Sequence, residues 1–234
     1  MDAATATPTP PQTHFAMLSA RVPVAGKRVL DIGCGSGGFM KELLKGGADA
    51  RGFEVAEETL ERAVAAGIER ERIALGDGSA LPFADASFDC ACFVFSFHHV
   101  PANMQRTVLA EAARVLTPDG TLVAIEPLPT GPMSEVLAPI EDETVVRTTA
   151  QALLAAPPAP FVLEDTAAYE IARIHASHEA MIRDAVEVDA ARTERAARPE
   201  VVAAVAERFG RLSTPVDGGF ELRQPCVLYR FSKR

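Results

Sequence analysis

The chain has 234 residues, of which 48% are hydrophobic, and its 32 acidic and 23 basic residues give a formal net charge of −9. This is enough for one large α/β domain with a sizeable core. The negative charge argues against nucleic acid or an anionic membrane surface as the main partner.

The beginning of the chain and its cysteines give no sign of export or membrane insertion. The sequence contains no run of about 18 apolar residues and therefore predicts no transmembrane helix. Its first residues lack the basic start and apolar segment of a signal peptide. The Thr-, Pro- and Ala-rich residues 1–13 predict a disordered tail. Cys34, Cys90, Cys92 and Cys226 lack the spacing of a metal site, so we expect reduced, buried thiols, no bound metal and a cytoplasmic protein.

Strands and helices alternate from residue 14 to residue 127. After a short helix within 14–25, the predicted strands are "KRVLDIG", "DARGFEV", "RIALGD", "CACFVF" and "TLVAIEP". The predicted helices between them are "GGFMKELLKGG", "AEETLERAVAAG" and "NMQRTVLAEAARVL", and "TPDG" is predicted to be a turn. Five strands alternating with helices predict a parallel sheet that is covered on both faces.

The second half of the chain is less regular. Residues 128–215 contain one or two helices and many prolines, a possible sixth strand "AAYEIARIHAS", and a helical stretch over 178–211 that Pro199 interrupts. We interpret this region as a lid and substrate region. Residues 218–232 predict a last strand, in which Pro225 marks an edge or a bulge. Residues 14–234 are therefore predicted to form a single domain with its core at 27–127.

The stretch "VLDIGCGSGGFM" matches two cofactor signatures at once. Gly33, Gly35 and Gly38 fit G-x-G-x-x-G, the dinucleotide fingerprint, whereas Asp31 with Gly33, Gly35 and Gly37 fits the D-x-G-x-G-x-G pattern of S-adenosylmethionine (SAM) sites. A glycine turn between a strand and a helix offers backbone N–H groups to either ligand. The glycines alone therefore do not choose between the two cofactors.

Three carboxylates bear on that choice. Glu54, after the second strand, can accept both ribose hydroxyls of either cofactor. Asp31 would repel a pyrophosphate but suits a ligand that carries an ammonium and a sulfonium group. Asp77 can accept from an adenine amino group while the backbone of Gly78 and Ser79 meets the ring nitrogens. Asp31 and Asp77 therefore favour SAM, whereas Glu54 suits both cofactors.

The chain resembles the class I SAM-dependent methyltransferases of the small-molecule type. The matching stretches lie within residues 27–127 and are "VLDIGCGSGG", "GFEVAEETLERA", "GDGSALPFADASFD", "FVFSFHHVP" and "EAARVLTPDGTLVAIEP". The resemblance implies a Rossmann-like three-layer α/β sandwich. Its seven-stranded, mostly parallel sheet would have an antiparallel last strand beside the fifth and a helical lid inserted after the fifth.

The resemblance also implies roles for particular residues. Those expected to bind the cofactor are Asp31, Gly33, Cys34, Gly35 and Gly37 at the methionine moiety, Glu54 at the ribose, Asp77, Gly78 and Ser79 at the adenine, Phe93, Val94 and Phe95 along the methyl-donor pocket, and Val55 with no particular part of the cofactor assigned. Glu54 departs from the aspartate that is common at its position, but it keeps the carboxylate.

Histidines provide the candidate for acid–base catalysis. A histidine near an acceptor hydroxyl or amine could remove its proton, and His98, nearer the strand end than His99, is the candidate general base. The alternative is that this pair shapes the pocket or packs. His175 and His178 near the lid, and Glu126 at the end of the fifth strand, are further candidates for substrate contact.

The sequence therefore predicts a SAM-dependent methyltransferase that transfers a methyl group to a small molecule by direct displacement. Two alternatives remain open at this point: a non-catalytic SAM-binding or regulatory protein, and an NAD(P)-dependent oxidoreductase of the Rossmann type. Because no N-P-P-Y-type motif follows the fourth strand, where the chain reads "FVFSF", a nucleic-acid acceptor is disfavoured.

Overall fold

A computed structural model describes residues 10–186 and 190–234 of the chain. Its strands are β1 Arg28–Ile32, β2 Asp49–Glu54, β3 Ile73–Leu75, β4 Phe88–Val94, β5 Leu116–Pro127, β6 Phe161–His175, β7 Thr214–Val216 and β8 Gly219–Lys233. They form one sheet in the order β3-β2-β1-β4-β5-β8-β6, and β7 pairs with β8. β1 to β5 are mutually parallel, whereas β8 runs antiparallel to both β5 and β6. The mostly parallel sheet with an antiparallel last strand beside the fifth is thus confirmed, and the short, exposed β7 adds an eighth strand that the sequence did not indicate.

Helices cover both faces of this sheet, as the alternating pattern predicts. They are α1 His14–Ser19, α2 Gly38–Lys45, α3 Glu57–Ala65, α4 Gln105–Val115, α5 Pro132–Leu137, α6 Thr144–Ala155, α7 His178–Val186, α8 Ala190–Ala196 and α9 Pro199–Leu212. Successive residues of β1 point to opposite faces: Leu30 packs in a cluster with α4 and α6, and Val29 in a cluster with α1 and α2. Both clusters are apolar, which explains the continuous hydrophobic runs in the central strands.

The predicted helices of the lid region are present. α5 and α6 follow β5, and α9 begins at Pro199, because proline fits the first turn of a helix but interrupts the helical stretch before it. α5, α7 and α9 pack against β8 through a cluster of their own that includes Val136, Met181, Phe209 and Leu222. This cluster is separate from the three that cover the parallel strands.

The prediction that Pro225 marks an edge or a bulge was wrong. β8 lies inside the sheet, and Pro225 stands opposite Glu170 of β6 without a register shift. The Pro225 carbonyl accepts from the amide of Leu128, just beyond the end of β5 at Pro127. Since N–H and C=O of one strand residue point to the same side, the N–H that proline lacks would face the Leu128 carbonyl, which accepts from the Gln224 side-chain amide at 2.9 Å instead.

The predicted turn "TPDG" lies within β5. Leu116 pairs with Phe88 and Thr121 with Cys90, so residues 117–120 stand opposite Asp89 alone and the register shifts there. The turn-forming residues are accommodated as a bulge near the start of the strand.

The described residues begin at residue 10, just before α1. Thr13 caps this helix, because its hydroxyl accepts from the amide of Ala16 at 3.0 Å. Residues 1–9 of the predicted tail lie outside the described residues. Within 10–186 and 190–234, no helix has both the length and the apolar character that crossing a bilayer requires.

Candidate active site

The glycine-rich turn connects β1 to α2 at the carboxyl edge of the parallel strands. Gly33, Gly35 and Gly37 all have positive φ, at 75°, 55° and 78°. A Cβ on Gly33 would lie 2.6 Å from the Cβ of Ser96, whereas a Cβ on Gly35 would meet nothing within 4 Å. Glycine is therefore needed at Gly33 for close packing and at Gly35 for backbone conformation beside open space.

Asp31 is a buried carboxylate on β1 with unused hydrogen-bonding capacity. It is 1% exposed, and its Oδ2 has no hydrogen-bond partner among the residues that the structure describes. Burial, and then the charge of Glu54, raise the pKa of Asp31 to about 7. A buried carboxylate without a partner is unfavourable, so this group is suited to a positively charged ligand.

Glu54 ties the glycine turn to the end of β2. Its Oε2 accepts from the Gly35 amide at 2.9 Å, and its Oε1 accepts from the amides of Val55 at 2.8 Å and Ala56 at 3.3 Å. The side chain is 8% exposed and lies on the pocket described below. Glu54 thus fixes the turn and presents a carboxylate beside Asp31.

Asp77 follows β3 in a turn that its own side chain closes. Its Oδ1 accepts from the Ser79 amide at 2.8 Å and from the Ser79 hydroxyl at 2.6 Å, and these bonds lower the pKa of Asp77. Asp77 and Gly78 line the pocket, whereas Ser79 does not line it and donates hydrogen bonds to Asp77.

A pocket of about 990 Å³ lies against the ends of β1, β2 and β4. It brings together most of the residues expected to bind the cofactor, namely Asp31, Gly33, Cys34, Gly35, Glu54, Val55, Asp77, Gly78, Phe93, Val94 and Phe95. Gly37 and Ser79 are absent from its lining. A Cβ on Gly37 would lie 2.7 Å from the Ile68 side chain, so this glycine permits packing between the turn and the segment after α3.

Part of the pocket wall comes from segments far away in the sequence. His14 of α1, Arg173 of β6 and Asp184 of α7 line it, and none of them was predicted as a site residue. His14 Nδ1 lies 2.7 Å from the Tyr169 hydroxyl, and its ring packs edge-on against Phe95 at 4.7 Å. Burial, followed by the charge of Arg173, lowers the pKa of His14 to about 4, so its ring is neutral at pH 7.

The side chains of His98 and His99 lie in different environments, although the two residues are adjacent in a short 3-10 helix, Phe97–His99. His98 is 3% exposed and does not line the pocket, and its Nδ1 lies 2.5 Å from Oε2 of Glu126. His99 is half-exposed and does line the pocket. Glu126, proposed as a substrate contact, is fully buried and holds His98 and the Phe97 amide instead.

The two histidines near the lid do not line the pocket. His175 is buried with its Nδ1 3.4 Å from Asp184, and His178 pairs with Glu179 at 3.2 Å. Of this group, only Asp184 belongs to the pocket lining.

Comparison with known proteins identifies this arrangement. Residues 30–124 match the family described as "Methyltransferase domain". This stretch of the chain is therefore similar to a methyltransferase domain. The matched residues run from β1 into β5 and so include the glycine turn, Glu54 and Asp77.

Curated relatives and solved structures agree with this domain. The chain is 36% identical over 135 residues to methyltransferase GfsG of Streptomyces halstedii, covering 55% of this chain and 48% of that protein. It is 36% identical over 115 residues to a demethylmenaquinone methyltransferase of Clavibacter sepedonicus, covering 48% and 46%. The chain thus spans about half the length of the curated relatives it matches. A putative methyltransferase of Bacillus halodurans shares the fold, with a TM-score of 0.62 and 19% identity over 94% of this chain and 98% of that one.

The comparisons confirm the predicted fold and support the predicted family and cofactor. SAM is the cofactor that the methyltransferase domain implies, and the alternative interpretation of the glycine motif as a dinucleotide site is not supported. The unpartnered Asp31 carboxylate and the open space at Gly35 are features of this structure that fit a ligand with a cationic group.

Proposed function

We propose that this protein transfers the methyl group of SAM to a small-molecule acceptor. The observation that carries the proposal is the pair of buried carboxylates, Asp31 and Glu54, beside a glycine turn on the large pocket. When bound, SAM supplies a methyl group on a sulfonium, which an acceptor nucleophile can attack by direct displacement.

Each polar part of the cofactor has a predicted partner in the pocket. Asp31 would hold the cationic amino-acid part, and Glu54, fixed by three backbone amides, would accept from the ribose. Asp77 and the Gly78 backbone would meet the adenine. Val55, 60% exposed, gives this end of the pocket an apolar surface on which a ring can lie.

The charge of the pocket favours a neutral or cationic acceptor. Its carboxylates outnumber its guanidinium groups, with Asp31, Glu42, Glu54, Asp77 and Asp184 against Arg62 and Arg173. The imidazole of His14 adds no positive charge at pH 7, because burial lowers its pKa to about 4. Phe95 and Met104 add apolar surface. The acceptor of one relative, a demethylmenaquinone, is likewise a small molecule.

Alignment of the two reactants and exclusion of water account for the rate in this proposal. The leaving group is a neutral thioether, so no residue has to protonate it. α1 and α7 contribute His14 and Asp184 to the pocket wall, and these helices would close over the reactants. A general base is needed only for an acceptor that carries a proton, and the role of His98 as that base stays a prediction.

A transfer assay tests the function directly. The protein is incubated with SAM and a fractionated small-metabolite extract, and S-adenosylhomocysteine and methylated products are quantified by mass spectrometry. We expect a product that depends on both the extract and the enzyme and that disappears with Asp31→Asn. If SAM binds but no fraction yields S-adenosylhomocysteine above the variant's background, the non-catalytic SAM-binding alternative replaces the proposal.

A further inference from the structure

A compact group of metal-binding side chains lies beside the pocket, outside the residues assigned to SAM. One ligand atom from each of His98, His99 and Glu143 lies within 4.8 Å of the others. His98 Nε2 is 3.9 Å from Glu143 Oε2, and His99 Nδ1 is 4.0 Å from Glu143 Oε1. The two histidines come from the 3-10 helix after β4, and Glu143 comes from the residue before α6.

A second layer of contacts orients the buried histidine of this group. His98 Nδ1 lies 2.5 Å from Oε2 of Glu126, which is itself fully buried at the end of β5. A proton on Nδ1 is donated to that carboxylate, which leaves the lone pair of Nε2 directed away from Glu126, where Glu143 lies. Metal-bound histidines characteristically carry such a carboxylate on their other ring nitrogen.

Two arginines fix the third ligand. Arg192 donates to Glu143 Oε1 at 2.5 Å, and Arg147 donates to Glu143 Oε2. Each carboxylate oxygen has two acceptor sites, so these bonds leave capacity for a further partner. The guanidinium charges oppose a cation, but the carboxylate of Glu141 is paired with Arg192 and offsets part of that charge.

We propose that His98, His99 and Glu143 form a binding site for a divalent transition-metal ion of the zinc type. Two imidazoles and one carboxylate are the protein ligands of open zinc sites, in which the fourth position is left to water or substrate. Ligands about 2.0–2.1 Å from a tetrahedral ion stand about 3.3 Å apart, so ligand atoms that now lie within 4.8 Å of one another must approach by about 1.5 Å at most. Nitrogen ligands disfavour magnesium and calcium, which prefer oxygen.

The location of the site gives the metal a route to the acceptor. His99 lines the large pocket, and Glu143 lines a second cavity of about 300 Å³ between the lid helices. An ion held between them would join the segment after β4 to the start of α6, beside the space left for an acceptor.

Metal binding is measured on the tag-free chain with Co²⁺ as a coloured substitute for Zn²⁺. We expect saturation at one Co²⁺ per chain with visible absorption bands of tetrahedral nitrogen and oxygen ligation, displacement by Zn²⁺, and no competition from excess Mg²⁺. Zn²⁺ should also raise the midpoint of thermal unfolding, because it binds the folded state. This readout requires neither SAM nor an acceptor, so the proposed methyl transfer is tested separately.

Substitutions assign the binding to these side chains. His99→Gln changes a half-exposed residue and should remove the absorption bands while far-UV circular dichroism stays unchanged. Glu126→Gln should weaken Co²⁺ binding by about 10–100-fold, the effect typical of losing an outer-shell partner. His178→Gln, a histidine outside the cluster, is the matched control and should bind as the unmodified chain does. The proposal is overturned if the unmodified chain shows no saturable binding, if Mg²⁺ competes equally, or if His99→Gln binds normally.

Discussion

Asp31→Asn should stabilise the protein without cofactor while abolishing its affinity for SAM. The carboxylate of Asp31 is buried, has an unpartnered oxygen and lies close to the charge of Glu54, so its ionised form is unfavourable in the folded state. Asparagine has nearly the same shape and carries no charge. The residue that binds the cationic cofactor is thereby expected to weaken the empty fold.

The size of the effect follows from the pKa of Asp31, which is raised to about 7 from an ordinary value of 3.8. A raised pKa means that the folded state holds the proton more tightly than the unfolded state, so the contribution to stability is present below about pH 4 and is lost as the pH rises towards and through 7. At about 1.36 kcal/mol per pKa unit, the Asp31 chain should lose about 3 kcal/mol relative to Asp31→Asn between pH 5 and pH 8.5. Taking this difference between two pH values cancels any constant contribution of the asparagine amide.

Urea unfolding of both proteins at pH 5 and pH 8.5, without SAM, measures this difference. We expect Asp31→Asn to gain stability relative to the unmodified chain as the pH rises, with equal m-values. If the stability difference between the two proteins is the same at both pH values, ionisation of Asp31 does not lower the free energy of unfolding, and the reasoning is refuted.

Three further predictions concern the same pocket. SAM affinity should fall about tenfold from pH 8 to pH 6, because protonation of Asp31 around pH 7 removes the ligand's counter-charge; calorimetry that finds a flat profile contradicts this. Glu54→Gln places an amide donor against backbone donors, so it should cost about 1–3 kcal/mol in urea unfolding and weaken SAM binding; unchanged stability would contradict the role of Glu54 in fixing Gly35. Gly33→Ala should lower the free energy of unfolding by about 1–3 kcal/mol, because its Cβ would meet Ser96. The Cβ of Gly35→Ala meets nothing within 4 Å, so that variant should suffer backbone strain alone. Equal losses of stability in the two variants would show that contact with Ser96 is not the cause.

The parallel half of the fold could be predicted from local patterns. The strands β1, β2, β3 and β5 end at or beside a glycine, proline or acid that the sequence marks, and the helices between the strands carry regular apolar faces. The carboxyl edge of such a sheet collects the side chains that follow its strands, so Asp31, Glu54 and Asp77 could be assigned to one site before their distances were known.

The orientation of side chains within a short helix could not be predicted in the same way. His98 was chosen over His99 because it lies nearer the end of β4, but the 3-10 helix directs His98 inwards to Glu126 and leaves His99 on the pocket. No pattern of one or two residues in the sequence encodes that choice, because it depends on the buried carboxylate from another strand.

The pocket residues that come from distant segments could not be predicted for a different reason. His14 and Arg173 belong to segments that are distant in the sequence and meet only because β6 lies beyond β8 and α1 packs near the glycine turn. Helix α1 and the region after residue 175 could be predicted to close the pocket, but the particular side chains depend on tertiary packing.

The central claim is that the glycine turn and its carboxylates bind SAM. Calorimetric titration of the chain at pH 8 with SAM, S-adenosylhomocysteine and NADH tests it most directly, with Asp31→Asn as the control. We expect SAM and S-adenosylhomocysteine to bind at one per chain, NADH not to bind, and the SAM affinity to be lost in Asp31→Asn. Saturable NADH binding, or no SAM binding at millimolar concentration, would contradict the claim.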